Sequence, residues 1–362
     1  MTGLACLRQT EPLYFQISRL PGKRYPSVMK KRAPTIRDVA ASAGVSVATV
    51  SKYINGTQRF SPPVEARLKA SIARLGYQSN PHARYMVTGE TRTIGVAVLD
   101  IRNPHFTSLV KGANRIALQF DYTLLLVDLE ENPAREYQLL EALGRRVDGL
   151  LLNTRMSDDA TEGLAPLDKP IVMLNRVSTN PQIASVNPDN HRAGFMLAQH
   201  LLNQGYRDIG YLGYAHAQSN ALRLAGVTEC LAGAGLAPRL FDAGAPTASA
   251  GERACSSILF GPERPGALIC YNDLIALGFL KEARNLGFSL PGDVAVCGFD
   301  NISHGEYSWP GLTTVDIQSE RIGELAMLRL LDAIAGKPVS ESKLLEPRLI
   351  VRESTLVKPR SV

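Results

Sequence analysis

The stretch TIRDVAASAGVSVATVSKYINGTQRFS, residues 35–61, decides how the first part of the chain folds. Its first eight helix-forming residues place an apolar side chain at every third or fourth position, which is the spacing of one helix face. These apolar residues are Ile36, Val39, Ala40 and Ala43. Thr35 is a suitable N-cap and Gly44 breaks the pattern, so a short helix is predicted between them.

A second short helix is predicted directly afterwards. Ser46 is its N-cap candidate, Val50 and Ile54 face inward, and Asn55-Gly56 ends it. Two short helices joined by a turn that contains Gly are typical of a helix-turn-helix, whose second helix enters the DNA major groove. The spacing alone fits an ordinary helical hairpin equally well.

The distribution of charge favours the DNA-binding alternative. Residues 29–89 hold ten Lys or Arg against two acidic residues, a net charge of +8, and residues 1–28 contribute +3. The whole chain carries only +6, which leaves −5 for residues 90–362. A basic segment joined to an acidic body indicates a protein that holds phosphates with one end only.

A third helix is predicted over residues 62–75, because Ser61-Pro62 is a typical helix start and Gly76 a typical helix end. Residues 29–78 therefore form a helix-turn-helix domain. Residues 79–93 are predicted to be a hinge helix and linker, since the segment from Asn80 is capped but too polar and short to be stable alone.

Composition limits the remaining alternatives. With 45% hydrophobic and 20% charged residues the chain is globular, and it has no apolar run of membrane-spanning length and no secretory signal. Five scattered cysteines suit a reducing cytoplasm, where the protein is expected. Residues 1–28 have no clear period and are predicted to be a disordered extension or a mis-assigned start, with Met29 as the natural beginning.

From residue 94 onward, continuously apolar strands alternate with amphipathic helices, which predicts parallel sheets covered on both faces. The predicted strands span 94–100, 123–130, 148–153, 170–175, 208–213, 266–272 and 293–300. The predicted helices span 106–119, 134–146, 190–204, 220–235, 251–260, 273–286 and 319–335. This is too much for one open sheet, so two α/β subdomains are expected.

Polar residues follow the carboxyl ends of these strands, where open α/β sheets bind their ligands. They are Asp100, Asp128, Asn153, Asn175, Asn272, Asp273 and Asp300. Such a row of carboxylates and amides suits a ligand rich in hydroxyl groups.

With these features in view, the chain resembles the lac repressor/gal repressor (LacI/GalR) family of bacterial transcription regulators from about Thr35 to its C-terminus. The motifs that carry the resemblance are residues 35–61, the GY-x3-P pattern at 76–81, ALRLAG (221–226), NDLIALG (272–278), CGFDN (297–301) and LTTV (312–315). The resemblance implies an all-α head and a periplasmic-binding-protein-like core over 94–362. Its N-lobe would comprise about 94–187 and 316–340, and its C-lobe about 188–315 and 341–355, including a last strand at 344–352.

Matching positions imply the residues that contact DNA. Val47, Ala48 and Lys52 would face base edges, and Lys52 stands where the family commonly has Arg. The residues implied to hold phosphates are Ser46, Thr49, Ser51, Asn55, Arg59 and Ser61. Met86 occupies the position of a Leu that wedges into the minor groove, and Met is long enough to intercalate.

Matching positions also imply an effector site between the lobes. Its residues are Asn103, Phe106, Asn175, Ser219, Arg223, Asn272, Asp273 and Asp300. Arg223 would clamp ligand oxygens and Phe106 would stack on a sugar ring, although Arg223 would alternatively pair with Asp300 and Phe106 belong to the core. Asn175 replaces a frequent Asp beside Arg176, which favours an anionic ligand such as a sugar acid.

Two other functions compete with this interpretation. The chain lacks the glycine-rich, P-loop, metalloprotease and nucleophile motifs of the enzymes built on strand–helix alternation. A secreted sugar-binding protein would need a signal peptide and would have no use for the basic head. We therefore expect a homodimeric repressor without cofactor or metal, which binds a partly palindromic operator under the control of a sugar or sugar acid; a purine is less favoured because the chain is only 6% aromatic.

Overall fold

The computed structural model describes most of the chain, in two compact units that divide between residues 86 and 87. The described residues are 32, 34–77, 89–178, 180, 183–262, 264–338 and 342–356. The predictions for residues 1–28 and for the hinge segment around Met86 lie outside them. Within the described residues, no helix is long and apolar enough to cross a membrane.

The first unit is a three-helix head, as predicted. Its helices are α1 (Ile36–Ala43), α2 (Val47–Ile54) and α3 (Pro62–Leu75). Thr35 caps α1, because its Oγ1 accepts from the N–H of Asp38 at 3.4 Å and its own N–H donates to the Asp38 carboxylate at 2.7 Å. Ser46 Oγ accepts from the N–H of Thr49 at 3.1 Å at the start of α2. The buried centre of the head consists of Val39, Ala40, Ala43, Val50 and Leu68.

The second unit is built on two six-stranded sheets. Its strands are β1 (Thr93–Val98), β2 (Thr123–Asp128), β3 (Gly149–Leu152), β4 (Ile171–Leu174), β5 (Ala184–Pro188), β6 (Ile209–Gly213), β7 (Arg239–Asp242), β8 (Ala267–Cys270), β9 (Ala295–Phe299), β10 (Thr313–Asp316), β11 (Lys343–Leu345) and β12 (Arg348–Ile350). The sheet orders are β11-β5-β4-β3-β1-β2 and β12-β10-β9-β8-β6-β7. Neighbouring strands are parallel except β10 and β12. The predicted fold class is confirmed.

Helices cover these sheets. They are α4 (Pro104–Gln119), α5 (Pro133–Gly144), α6 (Asp158–Glu162), α7 (Asn190–Asn203), α8 (Gln218–Ala232), α9 (Ala248–Leu259), α10 (Asp273–Asn285), α11 (Ser303–Glu306) and α12 (Ser319–Ile334), with 3-10 turns at Ala165–Leu167 and Glu353–Thr355. The helix predicted at 251–260 begins earlier, because Thr247 Oγ1 accepts from the N–H of Ala250 at 3.3 Å and caps it there. Because α12 packs against α4 and the β3–β5 strands, it belongs to the first sheet's lobe.

The last predicted strand is divided between the lobes, and its assignment to the C-lobe alone was wrong. β11 pairs in parallel with β5 in the first sheet, whereas β12 pairs antiparallel with β10 in the second. The chain therefore crosses between lobes three times: after β5, after β10 and between β11 and β12. Strands β5, β7 and β10 were not predicted, since they are only four or five residues long and carry no continuous apolar run.

Three helix pairs approach each other at glycines, so closely that no side chain fits between them. The pairs are Gly112 with Gly323 (α4 and α12), Gly194 with Gly226 (α7 and α8), and Gly251 with Gly278 (α9 and α10). A Cβ at Gly226 would lie 1.9 Å from the carbonyl oxygen of His191, and one at Gly194 would lie 2.0 Å from that of Arg223. The α7–α8 contact thus fixes the backbone position of Arg223.

Candidate functional site

A cavity of about 260 Å³ lies between the two lobes, where the carboxyl ends of strands from both sheets face each other. Seven of the eight predicted effector residues line it: Asn103, Phe106, Asn175, Ser219, Arg223, Asn272 and Asp300. The strand-end residues Asp100 and Asp128 do not, because their carboxylates instead accept hydrogen bonds from the N–H groups of Arg102 and Ile101 in the adjoining turn.

Arg223 is a buried side chain of this cavity with three hydrogen-bond partners. It is only 4% exposed, and its Nε donates to Asn190 Oδ1 at 2.9 Å. Its two terminal nitrogens donate to the carbonyl oxygen of Tyr271 at 2.6 Å and to Asp300 Oδ1 at 3.3 Å. The guanidinium carbon also lies 4.5 Å from the ring centroid of Phe299. Arg223 therefore forms the ion pair with Asp300 that was considered as its alternative role. Because this pairing and the other two hydrogen bonds use three of the five N–H donors of the guanidinium, two donors remain for a ligand.

Asp273 is the one predicted effector residue that does not line the cavity. It is completely buried, and its two carboxylate oxygens accept from Thr314 Oγ1 at 2.7 Å and from the N–H of Ile302 at 3.0 Å. Burial, with the nearby Asp300 charge, raises the pKa of Asp273 well above its usual value. Its role is therefore to hold the segment after β9 against β10. The neighbouring Asn272, which caps α10 through Ile275 N–H, does line the cavity.

On the N-lobe side, a hydrogen-bonded chain joins the cavity to α12. Asn175 Nδ2 lies 2.6 Å from His105 Nε2, and His105 Nδ1 lies 2.7 Å from Ser319 Oγ. Burial lowers the pKa of His105, so the ring is neutral, with Nε2 accepting from Asn175 and Nδ1–H donating to Ser319. Asn175 Oδ1 is buried without a hydrogen-bond partner among the described residues. It is a ready acceptor for a ligand O–H.

Arg155 belongs to the cavity, although sequence reasoning did not select it. Its Nε and Nη2 each lie 3.0 Å from an oxygen of Glu131, and its guanidinium carbon lies 5.5 Å from the ring centroid of Tyr214 in the other lobe. Glu136 positions this segment by accepting from the N–H groups of Arg155 and Met156. Arg155 lies two residues beyond Asn153, which is the polar residue at the end of β3. A search for polar residues that included the two positions after each strand end would have identified it.

One further residue pair joins the two lobes, and one further aromatic side chain lines the cavity. The side-chain amide of Gln218 bonds to the backbone of Val177, accepting from its N–H at 3.2 Å and donating to its carbonyl oxygen at 3.4 Å. Tyr271 lines the cavity from the C-lobe, where its hydroxyl lies 3.0 Å from Ser219 Oγ. The cavity thus has aromatic rings on both sides, Phe106 from one lobe and Tyr271 from the other, which the low aromatic content of the chain did not predict.

In the head, the predicted DNA-contacting side chains lie mostly on the solvent side. Exposed residues are Ser46, Val47, Ala48, Lys52, Asn55, Arg59 and Ser61, and half-buried ones are Thr49 and Ser51. Lys52 Nζ donates to Gln58 Oε1 at 3.1 Å, a contact between exposed side chains that a nucleic acid is able to replace. No cluster of His, Cys, Asp or Glu among the described residues is arranged to hold a metal ion.

Comparison with known proteins agrees with the division of the chain into a helical head and an α/β core. Residues 35–80 match the family described as bacterial regulatory proteins, lacI family, and residues 198–355 match a periplasmic binding protein-like domain. The HTH-type transcriptional repressor CytR of Escherichia coli (strain K12) is 33% identical over 336 residues, covering 91% of this chain and 98% of CytR.

Solved structures extend the comparison. A lac repressor dimer bound to operator and the anti-inducer ONPF superposes with a TM-score of 0.82 at 25% identity, covering 90% of this chain and 100% of that one. A complex of the transcriptional regulator CelR with cellobiose gives a TM-score of 0.67 at 28% identity, covering 89% and 99%.

A helix-turn-helix head joined to a two-lobed core with a lined cavity defines a DNA-binding transcriptional regulator with a ligand-binding domain. The chain belongs to the lacI family of bacterial regulatory proteins.

Proposed function

We propose that this regulator is a repressor whose operator affinity is controlled by a sugar or sugar acid bound between the lobes. The observation that carries the proposal is the cavity itself. It is lined by Asn175, whose Oδ1 lacks a hydrogen-bond partner among the described residues, and by Arg223, which keeps two N–H donors. Because both lobes supply the lining, a ligand there favours the closed arrangement, and the head's affinity for DNA changes by population shift. The protein acts by binding, in the cytoplasm and without enzymatic activity.

The donors of the lining favour an acidic sugar. Arg223 uses three of its five N–H donors on Asn190, Tyr271 and Asp300, and the other two are available to a ligand in the cavity. A carboxylate is the group that guanidinium donors bind best. The CelR neighbour, solved with cellobiose, supports a carbohydrate as the ligand class.

A flat heteroaromatic ligand such as a nucleoside is the second candidate. Its supporting observation is the pair of rings, Phe106 and Tyr271, that line the cavity from opposite lobes. A thermal-shift screen of sugars, sugar acids and nucleosides distinguishes the two candidates, since a ligand at 100 times its Kd stabilises the folded chain by about 2.7 kcal/mol. A shift with sugar acids supports the first proposal, whereas a shift with nucleosides alone contradicts it.

We further propose that α2 reads the operator. Val47, Ala48 and Lys52 contact base edges, and the phosphate contacts come from Ser46, Thr49, Ser51, Asn55, Arg59 and Ser61. The exposed position of these side chains and the +8 charge of residues 29–89 support this assignment. Met86, which lies outside the described residues, remains the proposed minor-groove wedge.

The DNA contacts make a direct prediction for variants. Six or more phosphate contacts per dimer should lower the affinity for operator by ~10³-fold between 50 and 200 mM salt. Lys52→Ala should reduce the preference for operator over random duplex, because it removes a base contact, and Arg59→Ala should weaken both duplexes alike. Fluorescence anisotropy with both duplexes measures this, and a salt-independent affinity would contradict the assignment.

We propose that the protein binds a partly palindromic operator as a homodimer, because a single head reads only a few base pairs. Leu118 and Phe120 at the end of α4, and Leu125 on the edge strand β2, are exposed apolar side chains on elements that pack together. They are a suitable face for a second copy. The operator-bound lac repressor structure is itself described as a dimer, which supports the proposal.

A further inference from the structure

A second cavity, of about 270 Å³, lies beside the effector cavity at the place where β5 passes from one lobe to the other. We refer to it as the side cavity; it is lined by Val177, Asn187, Leu222 and Leu344, among others. Asn175, Arg176, Pro188, Asn190 and Gln218 line both cavities. One layer of side chains therefore separates two spaces with different chemistry.

The surface exposed in the side cavity is mainly apolar and comes from both lobes. Val177, Leu222 and Leu344 are 39%, 41% and 56% exposed, which is unusually high for large apolar side chains that face one cavity. Val177 follows β4 and Leu344 lies in β11, both in the first lobe, while Leu222 lies in α8 of the second. The apolar wall is thus complete only while the lobes stay together.

Three polar side chains line the side cavity but not the effector cavity: Asn187, Asp189 and His191. One buried atom among them lacks a hydrogen-bond partner among the described residues. His191 Nε2 lies 3.0 Å from Glu229 Oε2, and Asp189 accepts from the N–H of Arg192 at 2.9 Å. Asn187 is 2% exposed and its Nδ2 donates to Ser185 Oγ at 2.9 Å, but its Oδ1 has no partner among the described residues. A buried acceptor without a donor is costly, and a ligand that supplies one donor would remove that cost.

We propose that the side cavity is a second ligand site, which takes a small uncharged molecule with an aliphatic body and one hydrogen-bond donor. The aliphatic body contacts Val177, Leu222 and Leu344, and the donor bonds to Asn187 Oδ1. A charged ligand is disfavoured because it would lose its hydration against these aliphatic side chains. Since both lobes form the wall, this ligand and the effector favour the same lobe arrangement, so each raises the affinity for the other.

Cyclohexanol is the probe, because it combines an aliphatic ring with one O–H donor. Titration of the full-length chain, followed by ligand-detected NMR, should give a Kd on the order of 1 mM, as expected for a ligand of seven non-hydrogen atoms. Cyclohexanone, which accepts but does not donate, should bind several-fold more weakly. Leu344→Asp should weaken cyclohexanol about tenfold by placing a charge in the wall. Leu240→Asp, at an exposed strand position outside the lining, is the matched control and should leave its Kd unchanged.

A crystal soaked with cyclohexanol locates the probe, which should lie between Leu222 and Leu344. Density in the effector cavity instead, or equal binding by Leu344→Asp and the wild type, would overturn the proposal. So would a change of oligomeric state in Leu344→Asp, since that would mean that a second copy covers these side chains. Asn187→Leu should abolish the difference between the alcohol and the ketone, and persistence of that difference would contradict the role of Asn187 Oδ1. None of these outcomes depends on the identity of the effector.

Discussion

Replacing Arg223 with Met is expected to destabilise the core by about 3–5 kcal/mol, the cost of leaving a buried charge without its partner. Asp300 is buried, and Arg223 is its ion-pair partner at 3.3 Å. The substitution also removes donors from Asn190 Oδ1 and the Tyr271 carbonyl. The free energy of unfolding of the core, from urea denaturation, measures the loss. Any effector response should disappear with it.

A double variant separates the two roles of Arg223. Arg223→Met with Asp300→Asn removes both charges, so at least half of the lost stability should return while ligand binding stays absent. Arg239→Met is the matched control, because Arg239 forms an exposed pair with Asp208 at 2.8 Å that contributes less than about 1 kcal/mol. If the double variant still responded to ligand at the wild-type concentration, Arg223 would not be part of the effector site.

Gly226→Ala is expected to cost about 3 kcal/mol or more, although it adds only one methyl group. The new Cβ would lie 1.9 Å from the carbonyl oxygen of His191 and 2.8 Å from the backbone nitrogen of Phe195, so α7 and α8 must separate. Because α8 carries Arg223, effector affinity should fall as well. Thermal unfolding and effector titration measure the two effects.

Gly233→Ala is the control for this substitution. Gly233 follows the last turn of the same helix with φ −60°, and the atom nearest to its added Cβ would be 3.4 Å away. Alanine there should be neutral or slightly stabilising. Equal stability of the two variants would show that the helices are not held at the distance that the structure gives.

The parts of the fold that the sequence predicted depend on local signals. The helix caps and helix ends at Thr35, Ser46 and Gly76 act within a few residues, and long apolar strands such as β1 are recognisable from their own residues. The head and the parallel sheets were therefore predictable. The division of the last strand depends on which sheet edge is open to β11, and that is decided by contacts more than a hundred residues away in sequence.

The site was predictable to the extent that strand ends define it. Asn175, Asn272 and Asp300 lie at strand ends and line the cavity. The same rule was wrong for Asp273. A side chain at the start of a helix points either into the cleft or into the core, and Asp273 points into the core, where it accepts a hydrogen bond from Thr314. Tyr271 was not predicted as a site residue, because it follows a run of apolar residues and its sequence context is that of a core residue.

The most direct test of the central claim is the operator affinity of the full-length chain with and without a ligand that raises its melting temperature. An operator duplex selected from a random-sequence pool is titrated by fluorescence anisotropy at constant salt. With the effector cavity saturated, the Kd for operator should change by at least about tenfold, which corresponds to a coupling free energy of about 1.4 kcal/mol. Arg223→Met/Asp300→Asn should bind the same duplex without any change. A ligand that binds in the cavity and leaves the Kd for operator unchanged would contradict the account.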